Sequence, residues 1–494
     1  MTTDREQLAA AASSWVHAAL RKLRDGHVVP RPRYDPHVRM GTNMDGALIR
    51  SISATDDLET LIEAVVPRFR PDGTSSLPRD SEVLYTTSLI EACATRVNRL
   101  GTALHDDHPE LDDLVGEFVE SVLSDTVEVV CCRVVGHLGT STEEVLALAD
   151  VEVIPIRGDE ISTDRNLYAT LRTLVPACGR ADGLEPHETF GSEPVSLVVT
   201  RSDVETGHSP ATLDNPETMQ RRIDDMLLAL DLLFGGTAHS IFDIIGSSRE
   251  VSGVPPRRTL FQTGPVSRLW YQRPVRIADT DTQAIAAVRA LVAATKVAPT
   301  SRVVPPMRYA LRRFVGAKFE PDLYDGIVSL VISLEASLLP DDPSDIGANL
   351  SRRCADLIST EQDSHQDVMR DIKLFYSVRS DVTHGRQLDE NRIVAKLRRV
   401  SKVGGDIHDR DVIVHATDRL RELTRRALLC RLVLGSGDEP AWPFETGKRA
   451  GEMTAAFESP ATLADWRSKW QAWGADNGVP WVTEAVGPLA RWQS

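Results

Sequence analysis

Apolar residues return every three or four positions at the start of the chain. Leu8, Ala12, Trp15, Ala19 and Leu23 therefore share one side of a helix predicted over 4–24. The same spacing predicts helices over 55–67 and 82–100, the second closed by Gly101 as a C-cap. Between the helices at 4–24 and 55–67, 25–50 is rich in Pro, Arg, Gly and Asn and reads as a loop or extended lead-in. The string HDDHPELDD, 105–113, reads as a polar connector.

The pattern then changes. VEVVCCRVV, 127–135, is β-branched and apolar and predicts a strand, as do VEVIPI at 151–156 and VSLVVT at 195–200. RTLFQT and SRLWYQRPVRI, within 257–277, supply two more strand candidates. TSTEEVLALA, 140–149, has Ser141 or Thr142 followed by acidic residues, the signature of a capped helix start. LLFGGTAHS, with Gly235 and Gly236, reads as a turn.

Helical spacing takes over after about 280. A helix at TQAIAAVRALVAAT is followed by Pro299, Pro305 and Pro306, which set a boundary. Further helices are predicted over 323–339, 346–359, 364–384, 390–400 and 415–434, with short connections, the pattern of a four- or five-helix bundle. The fold class is multidomain α+β. A mainly helical region, 1–110, precedes a mixed α/β region, 111–280. An all-α bundle follows at 281–435, with its core at 301–435. A Trp-rich C-terminal extension closes the chain at 436–494.

That extension holds six of the eight tryptophans, and Trp466, Trp470 and Trp473 share one helical face. The stripe either packs back on the protein or offers a surface to a protein partner or a second copy.

Charge narrows the functional classes. The chain has 494 residues and a formal net charge of −16, unlike a protein whose whole surface grips nucleic acid. Residues 301–435 differ, with 22 Lys and Arg against 20 Asp and Glu, so a nucleic-acid contact is cheapest there. The six cysteines include no C-x-x-C pair and read as buried free thiols. His105 and His108, among acidic neighbours, read as a solvated loop in preference to a metal cluster, and no metal or cofactor is expected. The N-terminus lacks the apolar stretch of a secretory signal, and no apolar run spans a bilayer. The expectation is a cytoplasmic protein with no membrane association.

The string DIKLFYSVRSDVTHGR, 371–386, carries the candidate chemistry. Arg379 and His384, five residues apart, would lie about 140° apart on an unbroken helix. They converge only if the helix ends or bends between them, and Gly385 marks a stop. Histidine moves protons near neutrality, and arginine offers a fork of donors to phosphate. RNA brings its own nucleophile, the 2′-hydroxyl, so such a pair can cleave it without a metal. A single histidine must serve both proton transfers unless a second copy helps.

LEASLL (334–339), LSRRCADLI (350–358) and LFYSVRSDVTHG (374–385), in that order, resemble the Apea-like branch of the HEPN family over about 130 residues, 301–435. The resemblance implies a four- or five-helix bundle that pairs as a homodimer. It also implies a metal-independent endoribonuclease with Arg379 and His384 as catalytic residues, of the kind found in bacterial toxin, antiviral defence and RNA-processing systems. Ser380 stands where the family commonly has Asn, Asp or His, and Asp381 follows it. That departure keeps open a non-catalytic module for dimerisation or nucleic-acid binding.

Ser380, Asp381, Glu335 and Tyr376 are the candidate supporting residues. Glu335, in an otherwise apolar helix, is expected to pair with Arg352 or Arg353, with orientation of Arg379 or His384 as the alternative. The basic stretch at 392–402 is either a solvated face or part of an RNA groove. Its candidate contacts are Arg392, Lys396, Arg398, Arg399 and Lys402, joined by Arg386.

Overall fold

The computed structural model describes residues 4–25, 32–34, 40–42, 56–69, 89, 92, 109–142, 144–156, 165–175, 194–205, 215–236, 238–249, 257–260, 274–295, 306–339, 345–361, 363–384, 389–401, 403, 407–437, 441–442 and 450–479. In chain order the first part contains helix α1 (Asp4–Asp25), strands β1 (Pro32–Tyr34) and β2 (Met40–Thr42), and helices α2 (Asp56–Phe69) and α3 (Pro109–Leu123). Strands β3 (Thr126–Gly136), β4 (Leu138–Thr140), β5 (Leu146–Leu148) and β6 (Val151–Ile156) follow. Then come α4 (Arg165–Leu174), β7 (Val195–Glu205), α5 (Asn215–Phe234), β8 (His239–Ser247), β9 (Arg257–Leu260) and β10 (Val275–Ile277). The rest is helical: α6 (Thr282–Ala294), α7 (Pro306–Gly316), α8 (Leu323–Leu338), α9 (Ile346–Ile358), α10 (His365–Thr383), α11 (Glu390–Leu397), α12 (Asp409–Leu434), α13 (Ala450–Glu458) and α14 (Pro460–Asp476). The protein is thus mixed α+β, with an antiparallel sheet region followed by a largely helical part.

The chain forms two units. The first comprises 1–136, 143–223 and 240–262; the second comprises 137–142, 224–239 and 263–494. In the first unit, α1, α2 and α3 bury a common core. Leu8, Ala12, Trp15 and Ala19 lie within it as their spacing predicts, against Leu61, Leu114 and Phe118. The sheet has the strand order β5-β6-β7-β3-β8-β9. Its spine is the antiparallel ladder from Thr126 opposite Glu205 to Gly136 opposite Val195. Val130, Cys132 and Val134 face Leu167 and Leu171 of α4 on one side, together with Leu197, Val199, Phe242 and Ile244.

Alternation places Arg133 on the opposite side of that sheet. Its Nε and Nη2 donate to Asp243 at 2.6 and 2.8 Å, and the Gln220 side chain donates to the same carboxylate at 3.1 Å. Both charges are fully buried, so each is tolerated only because the other is present.

Two expectations need correcting in this region. The predicted helix start at 140–149 is instead the short strand β5 followed by a turn, where Ala149 takes φ 57°. Leu146 and Leu148 are buried and Ala147 is exposed, so a period of two overrides the capping signal. The polar connector 105–113 is helical from Pro109 onward, with proline as the first residue of α3. The predicted strands at 127–135, 151–156 and 195–200 are present. Residues 105–108, with His105 and His108, lie outside the described residues, as does most of 82–100.

In the second unit β10 pairs in parallel with β4. His137, buried between β3 and β4 at φ 59°, meets the His239 ring edge-on at 4.8 Å. Burial, then the charge of His239, lowers the His137 pKa to about 4.

Helix α12 is the axis of the helical part. Every residue from Arg419 to Leu432 is buried, including five arginines and Glu422. Arg419 grips Asp363 with two bonds of 2.7 and 2.6 Å and reaches Asp371 at 3.1 Å. Arg426 bonds Glu422 at 2.9 Å and lies 2.9 Å from Asp363. Buried Lys318 holds Asp231 at 2.7 Å and the Ala238 carbonyl at 2.8 Å.

Near the C-terminus, Trp442, Phe457 and Trp466 form a buried cluster with centroids 5.1–5.7 Å apart, and the Arg431 guanidinium stacks 4.3 Å over Trp442. Trp466 and Trp470 are buried, and Trp473 is half-buried. Trp481 and Trp492 lie outside the described residues.

Candidate functional site

The candidate residues sit on three helices and the cap of one. Ser364 caps the start of α10, its hydroxyl accepting from the Asp367 amide and donating to the Asp367 carboxylate. Val368, Ile372 and Phe375 seat α10 in the core, which leaves Tyr376, Arg379, Ser380 and Asp381 half-buried on its flank. The helix ends at Thr383. His384 is the C-cap, with its amide bonded to the Ser380 carbonyl at 3.2 Å and its side chain exposed. Helix α10 therefore continues unbroken from Arg379 through Thr383 and stops only at His384, so no bend between the two brings them together. Gly385, Arg386 and Lys402 lie outside the described residues.

Arg379 faces α8. Its Nη2 is 3.5 Å from Glu335 Oε2, and its guanidinium carbon is 5.8 Å from the Tyr376 ring centre. Glu335 therefore pairs with Arg379, and the pairing with Arg352 or Arg353 expected from sequence is corrected. Arg353 is turned the other way, to the Leu338 carbonyl and the Thr454 hydroxyl. Helix spacing alone left both partners open; the approach of α8 to α10 decides between them.

The Glu335–Arg379 contact is loose. Glu335 Oε1 and Arg379 Nε are both buried with no hydrogen-bond partner among the described residues. Burial raises the Glu335 pKa, and the Arg379 charge opposes that shift without cancelling it. The side chains remain 19% and 25% exposed, so part of each reaches solvent.

The basic candidates on α11 and in the turn that follows it divide. Lys396 is held by Asp381 at 2.5 Å and Ser377 at 2.8 Å. Arg398 donates to Asp409 and to the Ile407 carbonyl. Arg392 and Arg399 are exposed. The role of Lys396 was not visible in the sequence, because it needs α11 folded back beside α10. Gly347 was also missed. It starts α9 directly against the Tyr376 ring.

Among the described residues no group of three or more His, Cys, Asp or Glu side chains is placed to hold a metal ion, and no helix is long and apolar enough to cross a membrane. The arrangement pairs the Arg379 guanidinium with the Glu335 carboxylate and leaves the His384 side chain exposed at the end of α10. Comparison of the chain with protein-family models, with curated proteins and with solved structures finds no match.

Proposed function

We propose that the helical part is an Apea-like HEPN-type bundle and that the protein is a metal-independent endoribonuclease. The observation that carries this reading is the C-terminal end of α10, which carries Arg379 paired with Glu335 and finishes at an exposed His384. Arg379 would bind the scissile phosphate and stabilise the charge gained on its oxygens. His384 would exchange a proton with the reacting oxygens. The 2′-hydroxyl attacks phosphorus, the bond to the 5′-oxygen breaks, and a 2′,3′-cyclic phosphate remains. Exposed Arg392 and Arg399 would extend the phosphate path. A homodimer would bring a second Arg379 and His384 to the same groove. A cytoplasmic defence or toxin role belongs to the same reading.

The test incubates wild type and His384→Ala with labelled total RNA and tRNA in EDTA. Cleavage by wild type alone, with cyclic phosphate ends, is expected. Equal cleavage by both, or none by either, overturns the reading. A second reading is a non-catalytic dimerisation or nucleic-acid-binding module. It is favoured by the ion pairs that already occupy Lys396 and Arg398.

A further inference from the structure

Cleavage by 2′-hydroxyl attack needs two proton transfers, and Arg379 cannot perform either at neutral pH. Resting on the ribonuclease reading, we propose that Glu335 is the general base that takes the 2′-hydroxyl proton while His384 acts as the acid. Three observations place it there. Glu335 approaches the guanidinium of Arg379 to 3.5 Å from a different helix. Its Oε1 is buried and accepts no hydrogen bond from the described residues, so the carboxylate is not saturated, and the side chain as a whole stays 19% exposed. Arg379 Nε is likewise buried without an acceptor among the described residues, so the pair rests on a single 3.5 Å approach and is not a saturated salt bridge.

The 3.5 Å approach of Glu335 to Arg379 fits the first proton transfer. A phosphate oxygen on the Arg379 fork sits about 3 Å from the guanidinium. The neighbouring 2′-hydroxyl is then within hydrogen-bond reach of a carboxylate beside the same guanidinium. The step balances. The 2′-oxygen bonds to phosphorus as its proton passes to the Glu335 carboxylate. The bond from phosphorus to the 5′-oxygen breaks as a proton passes from the His384 imidazolium to that oxygen. No oxidant, metal or co-reactant is consumed. Burial raises the Glu335 pKa, which makes it a stronger base than a solvated glutamate. Among the described residues Arg379 is the charged group whose field acts on it; α7, α9 and α12, which also pack on α8, add no resolved field.

The test uses the full-length chain and two RNA oligonucleotides. One has ordinary linkages, and the other has a 5′-bridging sulfur at the scissile position, whose thiolate leaves without an acid. Wild type, Glu335→Gln, Glu335→Asp and His384→Ala are compared by kcat/KM across pH, with melting curves to verify folding. The assignment expects Glu335→Gln to lose roughly 10²–10⁴-fold on both substrates, the range for general acid–base catalysis. The acidic limb of the pH profile should vanish in that variant. Glu335→Asp should be slower but keep the limb. His384→Ala should be rescued by the sulfur substrate, whereas Glu335→Gln should not.

A Glu335→Gln enzyme that is slower but keeps the limb would make Glu335 a positioning residue and overturn the assignment. Faster cleavage would make it a brake on Arg379 and overturn the assignment equally. Rescue of Glu335→Gln by sulfur would also overturn it. A wild type that cleaves neither oligonucleotide overturns the ribonuclease reading and this one with it.

Discussion

Gly347→Ala probes the seat of Tyr376. A Cβ at Gly347 would lie 2.7 Å from Cδ1, 2.9 Å from Cε1 and 3.4 Å from Cγ of the Tyr376 ring. Two opposing effects act. Alanine in place of glycine favours a helix by up to about 1 kcal/mol, and by less in the first turn where Gly347 sits. The clash costs about 1–3 kcal/mol, because three ring atoms must yield together inside a packed interface. The clash wins, and a net loss of about 1 kcal/mol is expected. The displaced ring also shifts the support of Arg379, whose guanidinium rides 5.8 Å from it. In a Tyr376→Ser background the obstacle is gone, so the same alanine should stabilise by a few tenths of a kcal/mol. Urea melts of the four proteins, followed by helix circular dichroism, measure the difference. A Gly347→Ala effect of the same sign and size in both backgrounds would refute the reasoning.

Other outcomes follow from buried charge. Asp363→Ala leaves Arg419 and Arg426 facing each other without their shared carboxylate, so it should cost about 3–5 kcal/mol, read as a fall in the denaturation midpoint. Arg133→Met combined with Asp243→Leu should cost far less than either change alone, and equal losses for the double and the singles would contradict that. His137 binds a proton near pH 6.5 when unfolded but only at about 4 when folded. Its contribution is therefore complete above pH 6.5 and is lost as pH falls toward 4, by up to about 3 kcal/mol. His137→Asn, which tolerates the positive φ, should flatten the stability profile in that window. Burial pushes the Cys354 thiol up to about 12, so iodoacetamide should leave it unmodified in the native protein and label it after urea, as peptide mass mapping will show.

Much of the helical part could be read from the chain because each helix there carries local signals. Ser364, Asp322, Ser459 and Asp389 cap their helices with side-chain bonds, and Pro460 sits where a first turn accepts it. The long strands are legible for the same reason, in their β-branched runs. The short strand at Leu146–Leu148 is hidden because three residues carry almost no period, and its pairing with Val151–Val153 is tertiary. Helix α7 is masked by prolines that read as a boundary, although Pro306 is its first residue. At the site, Arg379, His384 and Tyr376 share one string and are legible together. The link from Glu335 to Arg379 spans 44 residues and exists only when α8 meets α10. The tie from Lys396 to Asp381 depends likewise on how the chain turns after α10.

Helix α12 ends up more deeply enclosed than its composition suggests. Before it packs, it shows water arginines and a glutamate along with its leucines, so a nascent or half-assembled chain presents a solvated rod in place of a greasy one. That lowers the hazard of sticking to the wrong neighbour while the surrounding helices are still arriving. Closure then becomes selective. A misplaced helix that fails to bring Asp363, Asp371 or Asp231 to its station strands a guanidinium or ammonium group in a dry interior. A packing that leaves one of these pairs unmade therefore carries a penalty of about 3–5 kcal/mol that apolar contacts alone would not impose.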